Sequence, residues 1–215
     1  PYDLVKTMRA SFYVLGPLLS RFKYAKVSLP GGCAWGPRPI NFHLEAFKKL
    51  GAKVTLDSGY ILTEGNLKSA LIKFPIPSVG ATGNVVMSCV NLEEEIVIEN
   101  ASMEPEIVDL CNFYIKCGVI IKGVGTNKLT VKGIKSDNDQ NIKYSIIPDR
   151  IEAGTFLIAA AASKGNIKLN NCNYKHLDDV INNLKNVGAI ISYDENSVSI
   201  NMNNNIQSVS LKTDV

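Results

Sequence analysis

The run with the greatest chemical capacity in the 215-residue sequence is Leu29-Pro30-Gly31-Gly32-Cys33-Ala34-Trp35-Gly36-Pro37-Arg38-Pro39. It sets a thiol five residues ahead of a guanidinium, in a segment with three glycines, three prolines and the single tryptophan of the chain. Glycine permits positive φ and proline restricts φ, so the run reads as a specially shaped, movable loop. A thiol does chemistry when a loop exposes it and a cation tunes it, and Arg38 is the cation within reach of Cys33. A turn-rich connection with an incidental thiol fits the composition equally well. Arg9 is a second candidate, because an arginine on the buried side of an apolar helix needs an anionic partner. On a solvated face it would need none. The third is Pro77-Ser78-Val79-Gly80-Ala81-Thr82-Gly83-Asn84, small residues opening a helix whose first backbone N–H groups can donate to an anion. That stretch lacks the lysine of a P-loop and does not fit G-x-G-x-x-G, and ordinary N-caps look much the same.

The elements that must hold these residues come in a repeat. Ile40 to Leu62, Ile107 to Val131 and Leu177 to Ile200 each read as helix, glycine, strand, polar turn, strand. Aligned on Gly51, Gly118 and Gly188, which are 67 and 70 residues apart, four helix columns are wholly apolar. They are Ile40/Ile107/Leu177, Leu44/Cys111/Ile181, Phe47/Tyr114/Leu184 and Leu50/Cys117/Val187, one face of an α-helix. The glycine just past the last column suits a left-handed C-cap. A second landmark agrees: strands at Val27, Ile96 and Ile167 lie 69 and 71 residues apart, each preceded by a small, apolar helix at Met8–Leu19, Asn84–Leu92 and Ala153–Ser163. The period of about 70 residues implies stacked or symmetric supersecondary units, an α/β architecture with sheet around buried helices. The columns assign Cys111 and Cys117 to packing, and Cys89, in a small-residue helix, reads the same way. Cys172 has no functional reading.

Composition narrows the classes. The chain is 46% hydrophobic and 20% charged, as a cored protein is and a disordered one is not. With 23 basic against 20 acidic residues, the net charge of +3 does not suggest nucleic acid or an anionic membrane as main partner. No apolar run reaches the roughly 18 residues of a membrane span. Five cysteines without C-x-x-C, and two histidines, His43 and His176, suggest neither a disulfide framework nor a zinc site. Reduced thiols in a cytoplasmic protein are the expectation. The sequence opens at Pro1 without an initiator Met or secretory leader, and is expected to be part of a longer chain.

The same segments, read together, resemble the UDP-N-acetylglucosamine enolpyruvyl transferases. The likeness is carried by Asp3-Leu4-Val5-Lys6-Thr7-Met8-Arg9-Ala10-Ser11, Leu29-Pro30-Gly31-Gly32-Cys33 with Gly36, Arg38 and Pro39, and Ser78-Val79-Gly80-Ala81-Thr82. Glu99-Asn100-Ala101, Glu104-Pro105-Glu106-Ile107 and Pro148-Asp149-Arg150-Ile151-Glu152-Ala153-Gly154-Thr155 match too, and the likeness fades after about Asn201. The resemblance implies an inside-out α/β barrel built from βαβαββ repeats of about 70 residues, in two domains that are both incomplete here. Residues 1–147 would be part of the first domain and 148–215 the start of the second. It implies transfer of the enolpyruvyl group of phosphoenolpyruvate to the 3′-hydroxyl of UDP-N-acetylglucosamine, with release of phosphate, early in peptidoglycan synthesis. Cys33 would be the general acid and the target of the epoxide fosfomycin. Arg9 and Arg38 would face anionic substrate groups. Pro39, Ile40, Asn41 and Phe42, with Ile76, Pro77, Ser78, Val79 and Gly80, would hold the UDP-sugar, and His43 would help order the site. No metal or organic cofactor is implied. Ala34-Trp35 departs from the family loop by its bulk but keeps the Cys-to-Arg spacing. In the family pattern a Lys-Asn contact precedes Pro1 and the Asp base follows Val215, so the 215-residue chain is expected not to turn over by itself. The alternatives are an enzyme of the shikimate 3-phosphate type and a non-catalytic remnant of the repeat.

Overall fold

In the computed structural model the described residues are 2–5, 8–30, 40–134 and 141–211, with the side chains of Tyr2, Asp3 and Arg9 outside that description. The chain divides into two compact units, residues 1–144 and 145–215, each with its own apolar core.

The first unit runs α1 (Tyr2–Val5), a 3-10 helix (Arg9–Val14), α2 (Leu15–Phe22), β1 (Tyr24–Ser28), α3 (Asn41–Lys49), β2 (Lys53–Asp57) and β3 (Tyr60–Glu64). It continues with β4 (Leu71–Lys73), α4 (Val79–Cys89), β5 (Ile96–Glu99), α5 (Pro105–Lys116), β6 (Ile120–Lys122) and β7 (Lys128–Lys132). The second unit holds α6 (Arg150–Ala162), β8 (Asn166–Asn170), a 3-10 turn (Tyr174–His176), α7 (Asp178–Val187), β9 (Ile190–Tyr193) and β10 (Ser197–Asn201). Helix–strand–helix–strand–strand thus occurs three times, as the spacing predicts.

The sheets repeat as well. Their orders are β1-β3-β2, β4-β5-β7-β6 and β8-β10-β9, so in each the last strand lies between its hairpin partner and the strand before the second helix. The extra strand β4 pairs parallel with β5, Leu71 opposite Val97, and completes a βαβαββ unit in the middle repeat. Three residues are too few to show a strand period, which hides β4 from the sequence pattern.

Each second helix ends as its glycine requires. Gly51, Gly118 and Gly188 have φ of 95°, 95° and 108°. The next amide reaches back to a carbonyl five residues earlier: Ala52 to Phe47 at 2.9 Å, Val119 to Tyr114 and Ala189 to Leu184 both at 3.0 Å. This is the six-to-one bond of a Schellman cap, open to glycine because a Cβ is strained at positive φ. The apolar columns face inward, with Phe47, Leu50 and Cys111 fully buried. Cys117 is a correction: at the C-cap of α5 it is half-buried rather than packed away.

Two further expectations change. The helix expected over Met8–Leu19 is a 3-10 helix followed by α2. The ring of Pro17 would strike the carbonyl of Tyr13 in a continuous α-helix, whereas α2 starting at Leu15 puts Pro17 in its first turn, where a missing N–H costs nothing. The small apolar helices are also not equally buried. In α4 every residue from Ala81 to Val86 is buried, but in α6 Ile151, Phe156 and Ile158 are 63%, 53% and 53% exposed. Within its unit α6 packs on β8, β10 and α7.

Candidate substrate site at the starts of two helices

The starts of α3 and α4 meet in the first unit. Phe42, in the first turn of α3, lies 6.4 Å, ring to ring, from Phe74, the residue after β4. The next residue, His43, is buried against the first turn of α4.

Both helix starts have first-turn amides that precede the first intrahelical bond. In α4 the Ser78 hydroxyl accepts from Ala81 N–H at 3.3 Å, and Thr82 N–H donates to Ser78 O at 2.9 Å. The N–H groups of Val79 and Gly80 precede the first intrahelical bond and lie in half-buried residues. In α3 the cap residue Ile40 supplies no side-chain bond, and the first helical amides to bond back are His43 and Leu44, both to Ile40 O at 3.1 and 3.2 Å. Asn41 and Phe42 therefore present their N–H groups in the same way. Four donors at two adjacent, partially positive helix ends can bind an anionic or polar ligand without any charged side chain.

Asn84 ties this region together from beneath. It is fully buried in α4, its Oδ1 accepts from Gly16 N–H at 2.9 Å, and its Nδ2 donates to Phe12 O at 3.1 Å. Gly16 must be glycine, because a Cβ there would lie 2.4 Å from both Asn84 O and Oδ1. Thr82, also fully buried, accepts from Ser102 N–H at 3.0 Å and holds the segment after β5. Neither Asn84 nor Gly16 follows from the repeat; the available signal is one carboxamide inside a helix of small and apolar residues.

Of the residues selected from sequence, Ile40, Phe42, Ser78, Val79 and Gly80 are half-buried, and Asn41, Ile76 and Pro77 are exposed, Ile76 by 50%. The structure brings all eight into one unit. Arg9 belongs by its backbone to the 3-10 helix that packs on α4 and β1. Cys33, Arg38 and Pro39 lie outside the described residues, in the connection from β1 to α3.

The other four thiols are unsuited to acid chemistry near neutrality. Burial pushes Cys89 up to about 12 and Cys111 up to about 11, and it raises Cys117 and Cys172 as well. Among the described residues, no group of three or more His, Cys, Asp or Glu side chains is placed to hold a metal. No helix among them is long and apolar enough to cross a membrane.

Residues 1–214 match the family described as EPSP synthase (3-phosphoshikimate 1-carboxyvinyltransferase). Among curated relatives, the UDP-N-acetylglucosamine 1-carboxyvinyltransferase of Prosthecochloris aestuarii is 49% identical over 203 residues, covering 93% of this chain and 47% of that protein. The one from Geotalea daltonii is 46% identical over 213 residues, 99% of this chain and 51% of that protein. The chain therefore spans about half the length of the curated relatives it matches. Among solved structures, the enolpyruvyl transferase NikO from Streptomyces tendae superposes with a TM-score of 0.79 at 18% identity, over 94% of this chain and 48% of that one. An EPSP synthase from Acinetobacter baumannii does so at 0.62 and 17% identity, over 95% and 48%. At such identities these two likenesses show the fold, and it is that of the enolpyruvyl transferases.

Proposed function

The chain belongs to the EPSP synthase (3-phosphoshikimate 1-carboxyvinyltransferase) family, and from that premise we propose that the whole protein transfers the enolpyruvyl group of phosphoenolpyruvate to the 3′-hydroxyl of UDP-N-acetylglucosamine. The choice of acceptor is supported by relatives of that name at 45–50% identity over most of the chain. The structural observation that carries the reading is the meeting of the starts of α3 and α4, whose first amides, those of Asn41, Phe42, Val79 and Gly80, precede the first bond of their helices and suit a nucleotide diphosphate.

The reaction assigns each residue a task. A proton is added to C3 of phosphoenolpyruvate, C2 gains cationic character, and the sugar hydroxyl attacks C2 and loses its proton. The tetrahedral adduct then sheds a proton from C3 and expels inorganic phosphate, which restores the double bond. Cys33 is the proposed acid, since a thiol titrates near 8.5 without perturbation, whereas burial pushes Cys89 up to about 12 and Cys111 up to about 11. Arg38 and Arg9 take phosphate and carboxylate groups, for which the planar guanidinium is suited. Ile76 and Pro77 with Ser78 to Gly80, and Pro39 and Ile40 with Asn41 and Phe42, line the nucleotide-sugar side. The reading places residues 1–147 in the first enolpyruvyl transferase domain and 148–215 at the start of the second, in a cytoplasmic enzyme of cell-wall synthesis. Fosfomycin would alkylate Cys33.

The test is phosphate release by the full-length protein from phosphoenolpyruvate, with UDP-N-acetylglucosamine or shikimate 3-phosphate as acceptor. The reading predicts release with the sugar nucleotide alone, loss of turnover in Cys33→Ala, and in Cys33→Asp turnover that resists fosfomycin. Release with shikimate 3-phosphate alone would overturn it. The 215-residue chain by itself is expected to release no phosphate.

A further inference from the structure

The Asn84 carboxamide determines the protonation pattern of a buried histidine. Gly16 N–H can only donate, so its bond of 2.9 Å identifies the receiving end of the Asn84 side chain as the oxygen. The other end is Nδ2, which donates to Phe12 O at 3.1 Å and faces His43 Nδ1 at 3.1 Å. An amide nitrogen offers no lone pair, so Nδ1 of His43 is the acceptor and the ring proton resides on Nε2. The Nε2–Cε1 edge presses on α4: a Cβ on Gly80 would lie 3.2 Å from Nε2, 3.3 Å from Cε1 and 3.3 Å from Tyr13 Oη. Phe12 meets the same imidazole edge-on at 4.8 Å between centroids. The ring is held through Nδ1 and packed along its other edge, while its backbone follows Asn41 and Phe42 directly.

We infer that His43, oriented by Asn84, is a positioning residue for the nucleotide-sugar site. Its ring sets the distance and rotation between the starts of α3 and α4, and so the relative placement of the Asn41, Phe42, Val79 and Gly80 amides. Three segments register on one carboxamide: the 3-10 helix carrying Arg9 through Phe12 O, α2 through Gly16 N–H, and α3 through His43. The residue on the same turn of α6 does none of this. Thr155 is exposed and its hydroxyl bonds back to Ile151 O at 2.7 Å. A rigid spacer beneath two rows of donors acts on binding of the group that bridges them, the acceptor's diphosphate, and leaves the protonation of phosphoenolpyruvate alone.

This inference rests on the function proposed above, and its test separates the two. In the full-length protein, His43→Asn keeps an acceptor oxygen where Nδ1 stood, whereas His43→Gln carries its polar end to the Nε2 position and leaves Asn84 Nδ2 with Phe12 O as its one remaining acceptor. His43→Gln should raise KM for UDP-N-acetylglucosamine about tenfold, with kcat and KM for phosphoenolpyruvate within about threefold of wild type. His43→Asn, which keeps the bond to Asn84 but removes the edge that spaces α4, should raise the same KM by a smaller factor, about threefold, and leave kcat and KM for phosphoenolpyruvate unchanged. If the two variants behave alike, if both KM values rise together, or if neither variant folds by its melting transition, His43 is a structural residue only and the inference fails. If wild type turns over no UDP-N-acetylglucosamine, the proposed function fails first and the inference falls with it.

Discussion

Helices α4 and α6 occupy the same place in two copies of the repeat, and they differ where the chemistry would be. An offset of 71 residues pairs their N-caps Ser78 and Asp149, their glycines Gly83 and Gly154, and their buried Val86 and Leu157. It also pairs Asn100 with Asn171, left-handed residues after the following strands with φ of 57° and 56°. At the same offset Gly80 faces Ile151 and Asn84 faces Thr155. What the copies share builds the fold: a cap, a close-packed helix, a strand, a left-handed turn. What they do not share is the glycine that admits the His43 ring and the carboxamide that holds it.

The largest expected break in this comparison is Asn84→Leu. It strands Gly16 N–H and Phe12 O in the core and should cost about 2–4 kcal/mol in urea melts. Thr155→Ala, on the exposed counterpart, should stay within about 0.5 kcal/mol. Equal losses would mean that the two positions do the same work. Gly80→Ala comes next. Alanine ordinarily favours a helix over glycine, but here the added methyl meets a ring clamped by Asn84, so a loss of about 1–2 kcal/mol is expected. A gain in stability would show that the ring yields. The caps should behave alike, since Ser78 accepts from Ala81 N–H and Asp149 from Ile151 and Glu152 N–H. Alanine at either cap should cost about 1 kcal/mol.

The smallest effect distinguishes the end of the first unit. Tyr144 donates to Asp109 Oδ1 at 2.7 Å, and its phenol is pushed to about 12 by burial, by that bond and by the Asp109 charge. A folded pKa raised above the unfolded value of about 10 gives stability that is complete below pH 10. That stability is lost as pH climbs toward about 12. Tyr144→Phe should therefore flatten the alkaline decline of the first unit, as followed by circular dichroism against pH. An unchanged decline would remove Tyr144 as its source.

Much of the fold was legible because it repeats. Gly51, Gly118 and Gly188 mark three helix ends by a backbone conformation that few other residues accept, and the columns before them expose the buried face. Strand β4 was not legible, being three residues of an ordinary Leu-Ile-Lys run. The break before α2 was missed in reading one helix over Met8–Leu19, although Pro17, whose ring limits the helix on its N-terminal side, signals it. Of the site, the SVGAT segment showed its helix start openly. The His43–Asn84 pair did not show, because it joins residues 41 positions apart whose types are unremarkable in their own helices. Such a pair becomes visible when three segments are seen to share one buried carboxamide.

Amide hydrogen exchange of the full-length protein, with and without UDP-N-acetylglucosamine, tests most directly the claim that these two helix starts form the acceptor site. The account predicts slowed exchange at Asn41, Phe42, Val79 and Gly80, larger than at Arg150 to Glu152 on the matching start of α6. Unchanged exchange at both the α3 and α4 starts, with the nucleotide bound, would contradict it.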